Sequence, residues 1–474
     1  MAPSRQQSRP RFDLLRAPLL GQFLSWQHSR TVLQLLLFGL AVAVILDGLL
    51  GSPLAAKNVA TVGAWVHYRG LVVLSLLIAG NLFCAACPFV LFNRIARWLG
   101  RPARRWPRRL RHKWLALAVF VAILFIYELF DLWASPWWTA WLVVAYFAAA
   151  FVLALFFTRD SFCLYLCPLG TFNFLYSSVS PLQIMARDLD MCRRCPGREC
   201  INGRAGQQGC QLELYVPTVQ SNWNCTFCLD CAKACPYDNV ALAGRVHGAE
   251  LRRQSWPHRL DLALLAIVAA FTGLVNAFAM TPPAYALEEW LARLLHTERE
   301  ALVLGLIYGA GVIAAPLLLA YAAAWLGRRL AGGDQRLNQA VWRHAYGFVP
   351  LGFAIWTAHY LFHFLTGALT LAPALQAFFA RTLGWPLLGE PDWRIAGLFV
   401  PNLAAIQGGQ VLMVGIGLAA AIALTRQAAG QSAATRHQAW RAALPWLLLL
   451  IALAAASVGV FLLPMEMRGS ALGG

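Results

Sequence analysis

The chain has 474 residues, of which 59% are hydrophobic and only 13% charged. Soluble domains carry about a quarter charged residues, so this balance, with a mean hydropathy of +0.57, excludes an ordinary soluble protein. The formal net charge of +18 would suit a nucleic-acid binder. However, nine of the Lys and Arg fall between Arg94 and Lys113, flanked by apolar runs. No nucleic-acid-binding motif accompanies them, and no nucleic acid is expected as a partner.

In chain order, residues 1–30 form a basic N-terminus (Arg5, Arg9, Arg11, Arg16) without the apolar core and small-residue cleavage site of a secretory signal. It is expected to be retained. Apolar segments at about 31–50, 70–91, 114–133, 139–157, 259–279, 301–326, 344–369, 408–425 and 444–463 approach the ~20 residues a helix needs to cross a bilayer. The connections 91–113, 158–258, 327–343 and 426–443 each carry several Arg. The opposite connections are poorer in Arg and Lys and hold Glu288, Glu289, Glu298, Glu300 and Glu390. The positive-inside rule then puts the N-terminus and the long 158–258 connection in the cytoplasm and the C-terminus outside. Trp133, Trp137, Trp138 and Trp141 fit an aromatic belt at the outer interface. Membrane lipid is the expected surrounding.

The polar stretch 158–258 interrupts this pattern and holds ten of the twelve cysteines. Within it, Cys225-x2-Cys228-x2-Cys231-x3-Cys235-Pro236 has the spacing with which thiolates wrap an iron–sulfur cubane, the fourth Cys turning to another cluster. A zinc site favours two Cys-x2-Cys pairs separated by a longer loop. A second, irregular run, Cys192, Cys195, Cys200 and Cys210, supplies the four thiols a second cluster needs. The preferred partition is crossed: Cys192, Cys195 and Cys200 with Cys235, and Cys225, Cys228 and Cys231 with Cys210. Disulfides compete as a reading, and a reducing cytoplasm disfavours them.

The expected fold is therefore an all-α polytopic membrane protein of about nine transmembrane helices with a small cytoplasmic α+β ferredoxin-like insertion carrying two [4Fe-4S] clusters at about 185–245. A four-helix membrane domain (31–157) precedes the insertion and a five-helix one (259–474) follows it.

Two further pairs lie outside these runs. Cys84-x2-Cys87-Pro88 is expected to end the second span, and Cys163-x3-Cys167-Pro168 follows the fourth. On a helix, spacings of three and four put both thiols on one face. These four cysteines are candidates for a third metal centre or a redox-active set; the alternative is cysteine packing at helix ends.

Together, FCAACPFVLFNRI, FCLYLCPLGTFNF and CTFCLDCAKACPYDN resemble the polyferredoxin membrane proteins of the NapH/NosR type, over roughly residues 70–240. The resemblance implies a bacterial inner membrane and four helices around the Cys-Pro pairs. It also implies a cytoplasmic two-cluster domain that passes electrons between the cytoplasm or quinone pool and periplasmic partners. The first Cys-Pro pair is one residue shorter than that pattern, and residues 250–474 have no counterpart in it.

The C-terminal half has its own candidates. His359 and His363 share a helix face in an apolar span, where ionisable groups are expensive. They are candidates for haem b, a metal or a quinone pocket, or form a hydrogen-bonded pair inside the bundle. His344 is a weaker candidate on the same span. Met465 and Met467 offer soft thioethers for copper(I). Glu128 and Asp131 are candidates for a proton path or reach interfacial water, the latter being preferred.

The expected function is a membrane-bound electron relay between a cytoplasmic ferredoxin, flavodoxin or flavoprotein and quinone or another respiratory-chain component. Its rivals are a metal-reducing assembly factor for a copper or haem respiratory enzyme, and an iron–sulfur redox sensor.

Overall fold

Helices dominate because apolar runs with few charges satisfy their backbone internally. The structure, a computed structural model, describes residues 12–333, 335–431 and 434–465; Arg5, Arg9, Arg11 and Met467 lie outside the described residues. Eight described helices are long and apolar enough to cross a membrane: Ser29–Leu50, Val59–Ile78, Pro136–Phe156, Leu260–Phe278, Glu300–Ala331, Leu337–Thr366, Leu403–Gly430 and Arg436–Leu462. Trp114–Leu129 is shorter, and Leu82–Val90 with Asn93–Gly100 forms a pair bent by 48°.

The second apolar segment departs from expectation. It runs Val59–Ile78, not 70–91, and stops before the first Cys-Pro pair. Asn58 starts it by accepting a hydrogen bond from the Ala60 N–H, as an N-cap does. Gly80, at φ +69°, follows its end. A Cβ there would lie 2.6 Å from Ser180 Oγ and 2.7 Å from a Phe227 ring carbon, so the site requires glycine for both conformation and space.

The chain folds as two compact units, each built from separated stretches, whereas the sequence led us to expect consecutive blocks. The first comprises 1–41, 75–111 and 146–256 and contains all twelve cysteines. Its sheet has two antiparallel strands, β1 (Leu182–Ala186) and β2 (Val240–Gly244), with Leu182 opposite Gly244 and Ala186 opposite Val240. Leu182, Ile184 and Ala186 alternate onto one face and pack with Val216, Phe227, Leu229, Val240, Leu242 and Leu24. Asp13 ties the N-terminal segment to this sheet, accepting from the Leu242 N–H and from Arg187.

The second unit comprises 42–74, 112–145 and 257–474. Leu337–Thr366 is its most buried helix. Small residues bring its neighbours close: a Cβ on Gly417 would lie 2.5 Å from Ala354 Cβ and 2.9 Å from the Pro350 carbonyl oxygen, the close approach typical of apolar helix pairs. Met465 packs against the unit's apolar core.

Candidate iron–sulfur site

All four cysteines that precede proline share one local conformation. Proline pushes the preceding residue out of the helical region. Accordingly Cys87, Cys167, Cys195 and Cys235 have ψ of 121°, 113°, 112° and 116°. Each therefore ends a helical turn and starts a new direction. Cys84 lies in Leu82–Ala85 and Cys163 in Ser161–Tyr165, whereas their partners Cys87 and Cys167 lie beyond the break. The expectation that each pair shares one helix face is corrected: proline separates its members.

In the sheet-containing part of this unit, the chain forms two hollows. Cys192, Cys195, Cys200 and Cys235 line one, with Tyr215, Val216, Tyr237 and Asn239. Cys210, Cys225, Cys228 and Cys231 line the other, with Ile184, Leu212, Leu214 and Val219. Each hollow thus draws cysteines from both runs. Cys235 lies four residues from Cys231 yet faces the other hollow, because its extended backbone leaves the short helix Asp230–Ala234 there. The Cys225–Cys231 loop winds tightly through left-handed residues: Asn224, Phe227 and Leu229 have φ of 62°, 55° and 60°. Such alternation turns successive N–H groups toward one side, as in anion-binding nests.

Several donors already point at sulfur. The Asn239 side chain donates to Cys192 Sγ (3.2 Å) and its backbone N–H to Cys235 Sγ (3.4 Å), spanning one set. The Leu214 N–H donates to Cys210 Sγ at 3.4 Å. Burial pushes the Cys192 thiol up to about 11 and the Cys225 thiol to about 12. Cys228 and Cys231 are raised well above the usual range for the same reason. Unloaded, these four thiols are thus neutral at physiological pH, and metal loading releases their protons.

The donor set fits a cluster better than a single ion. Zinc–sulfur bonds of about 2.3 Å place four tetrahedral sulfurs about 3.8 Å apart. Among the described residues, no three His, Cys, Asp or Glu converge closely enough to hold one metal ion. Four thiols around an apolar hollow, with N–H groups aimed at sulfur, suit a cubane.

The four helix-end cysteines also gather. Cys163 lies within electrostatic reach of Cys167, Cys87 and Cys84. Asn173 donates to Cys84 Sγ (3.1 Å) and the Gly170 N–H to Cys167 Sγ (3.2 Å). Asp160, just before the second pair, accepts from Asn93 (2.9 Å) and Arg97 (2.8 Å), closing one Cys-Pro turn onto the segment that follows the other. Asn173 and Asn239 lie inside the cysteine motifs, whereas Arg97 has no local sequence signal that marks it and its partner Asp160 is distant in the chain.

In the second unit, His359 and His363 are buried, their ring centroids 5.3 Å apart. Met280 Sδ lies 3.2 Å from His359 Nε2. His344 stacks on Trp446, centroids 4.9 Å apart. The Arg69 guanidinium sits over the rings of Trp65 (4.5 Å), Tyr127 (4.4 Å) and Tyr360 (5.1 Å) and donates to Tyr127 Oη at 3.3 Å. Glu128 also departs from expectation: it is buried, 3.5 Å from Asn276 Nδ2, while Asp131 is exposed beyond the helix end.

These features give two four-thiol hollows whose donor sets suit iron–sulfur clusters. The 4Fe-4S binding domain family matches residues 65–107 and 139–182. The matched stretches contain both Cys-Pro pairs and stop short of the eight cysteines that line the hollows. The chain is similar to the methylamine utilization ferredoxin-type protein MauN of Paracoccus denitrificans, 27% identical over 203 residues, covering 38% of this chain and 67% of the relative. No solved structure matches it.

Proposed function

We propose that the protein is an electron relay of a bacterial inner membrane, holding three [4Fe-4S] clusters and exchanging electrons between a cytoplasmic carrier and quinone. The observation that carries this reading is the pair of four-thiol hollows, each built from two separate cysteine runs. The family match on the two Cys-Pro stretches supports a third cluster held by Cys84, Cys87, Cys163 and Cys167. The NapH/NosR resemblance belongs to the same reading. When bound, a cubane gains and returns one electron.

The chain's own residues set the conditions for this. Asn239, Leu214, Asn173 and Gly170 stabilise thiolate charge through N–H donation, which raises cluster potentials. The walls of the second hollow (Ile184, Leu212, Leu214 and Val219) are apolar, which strengthens nearby charge interactions. The apolar helices support membrane insertion, and their Arg-rich connections support a cytoplasmic cluster domain. The Arg69–Tyr127–Tyr360 group supplies polar hydrogen-bonding atoms inside the apolar second unit, a suitable setting for a quinone head group.

Protein in lipid nanodiscs, reduced with a limiting amount of dithionite, should be reoxidised by a short-chain ubiquinone analogue, as read from cluster absorbance. Replacing Arg69 by leucine should slow that reoxidation about tenfold at unchanged iron content. Equal rates in both proteins would remove the quinone from this account.

A further inference from the structure

Arg30 is a cation placed where the two kinds of thiol set meet within the first unit, with Lys233 also near Asp230. Its Nη1 lies 2.5 Å from Asp230 Oδ2, and Asp230 stands between Cys228 and Cys231 in the chain. Its Nε donates at 3.3 Å to the carbonyl of Ala85, which stands between Cys84 and Cys87. One turn on, Gln34 donates to the Cys87 carbonyl at 3.0 Å. The Arg30 charge is within electrostatic reach of Cys228 and of Cys163. A second tie runs alongside: Asn81 Nδ2 donates to the Cys225 carbonyl at 2.8 Å. One guanidinium thus touches both the ferredoxin-type loop and the first Cys-Pro turn, and Asp230 is its counter-charge.

We propose that the Arg30–Asp230 pair is a potential-setting and positioning device: Arg30 fixes the Cys225–Cys231 loop against the Cys84–Cys87 turn, and the two opposed charges set the reduction potential of the centre held by Cys210, Cys225, Cys228 and Cys231. This rests on the iron–sulfur reading of that hollow. A reduced cluster carries one more negative charge than an oxidised one. A neighbouring cation stabilises the reduced form and a neighbouring carboxylate destabilises it. Both charges are largely shielded from water, with 14% and 7% side-chain exposure, so solvent screens them little.

The signs give the test. Anaerobically purified Arg30→Gln, Arg30→Lys and Asp230→Asn variants are titrated by EPR beside the unaltered protein, with iron and sulfide counted in each. Arg30→Gln should move one signal to lower potential, by at least a tenfold change in its reduction equilibrium, which is 59 mV for one electron. Asp230→Asn should move the same signal upward, and Arg30→Lys, which keeps the charge, should fall between Arg30→Gln and the unaltered protein. Shifts in the same direction for Arg30→Gln and Asp230→Asn, or none, at full iron content would overturn the proposal. Iron loss in Arg30→Lys as severe as in Arg30→Gln would also overturn it, assigning Arg30 to loop support alone. An unaltered protein without sulfide would instead overturn the underlying iron–sulfur reading.

Discussion

Replacing Cys231 by alanine should remove one whole cluster, about four irons with their sulfide, and leave the other centres in place. Cys231 is 8% exposed and packs with Phe227, Leu229, Ile184 and Leu242. Three remaining thiols around an apolar hollow leave one iron without its protein ligand. The Cys225–Cys231 loop, which runs through left-handed turns, then loses its organising centre. Because metal binding and folding are coupled in such loops, the sheet-containing region should also become protease-sensitive. The crossed grouping sharpens the expectation. Cys210→Ala, from the other cysteine run, should abolish the same EPR signal as Cys231→Ala. Cys235→Ala, four residues away, should abolish a different one together with Cys200→Ala. Loss of one shared signal by Cys231→Ala and Cys235→Ala would contradict the grouping.

The second large effect lies in the polar support behind that loop. Glu250 is fully buried. Its carboxylate accepts from Arg245 (2.8 Å), from the Asn222 N–H (2.8 Å) and from Trp256 Nε1 (2.8 Å). Arg245 also donates to the carbonyls of Ser177, Ser178 and Ser180. The Asn222 carbonyl in turn accepts from the Cys225 N–H at 3.0 Å. Glu250→Ala leaves a buried guanidinium without its counter-charge, a loss of about 3–5 kcal/mol. Glu250→Gln keeps the shape and should cost about 1–3 kcal/mol. Thermal bleaching of the clusters should occur about 10 °C lower in Glu250→Ala and less so in Glu250→Gln. Unchanged bleaching in both would show that the network does not support the cluster loop.

Cysteine spacing carried the two four-thiol groupings, since short loops constrain which sulfurs can face one hollow. Hydrophobicity likewise marked the long apolar helices. The second helix was misplaced because Leu71–Ile78 runs into Leu82–Val90 with little change in composition. The Gly80-Asn81 step between them is the break, and Gly80 packs against Ser180 and Phe227 with no room for a Cβ. The Cys-Pro pairs read as helical pairs by spacing alone; the restriction proline places on the preceding residue overrode that spacing. Arg30 looked like one more basic residue of the N-terminus. Its partner Asp230 lies 200 positions away, and no local pattern announces such a pairing. Arg69 was hidden similarly, because its aromatic neighbours come from three separate stretches.

In the proposed function, three sets of four thiols each hold a cubane. Iron and acid-labile sulfide counted per chain in anaerobically purified protein test it most directly. About twelve irons and about twelve sulfides are expected, falling to about eight of each when Cys87 and Cys163 are replaced by alanine. About eight of each in the unaltered protein would remove the helix-end cluster, and zinc without sulfide would contradict the iron–sulfur account altogether.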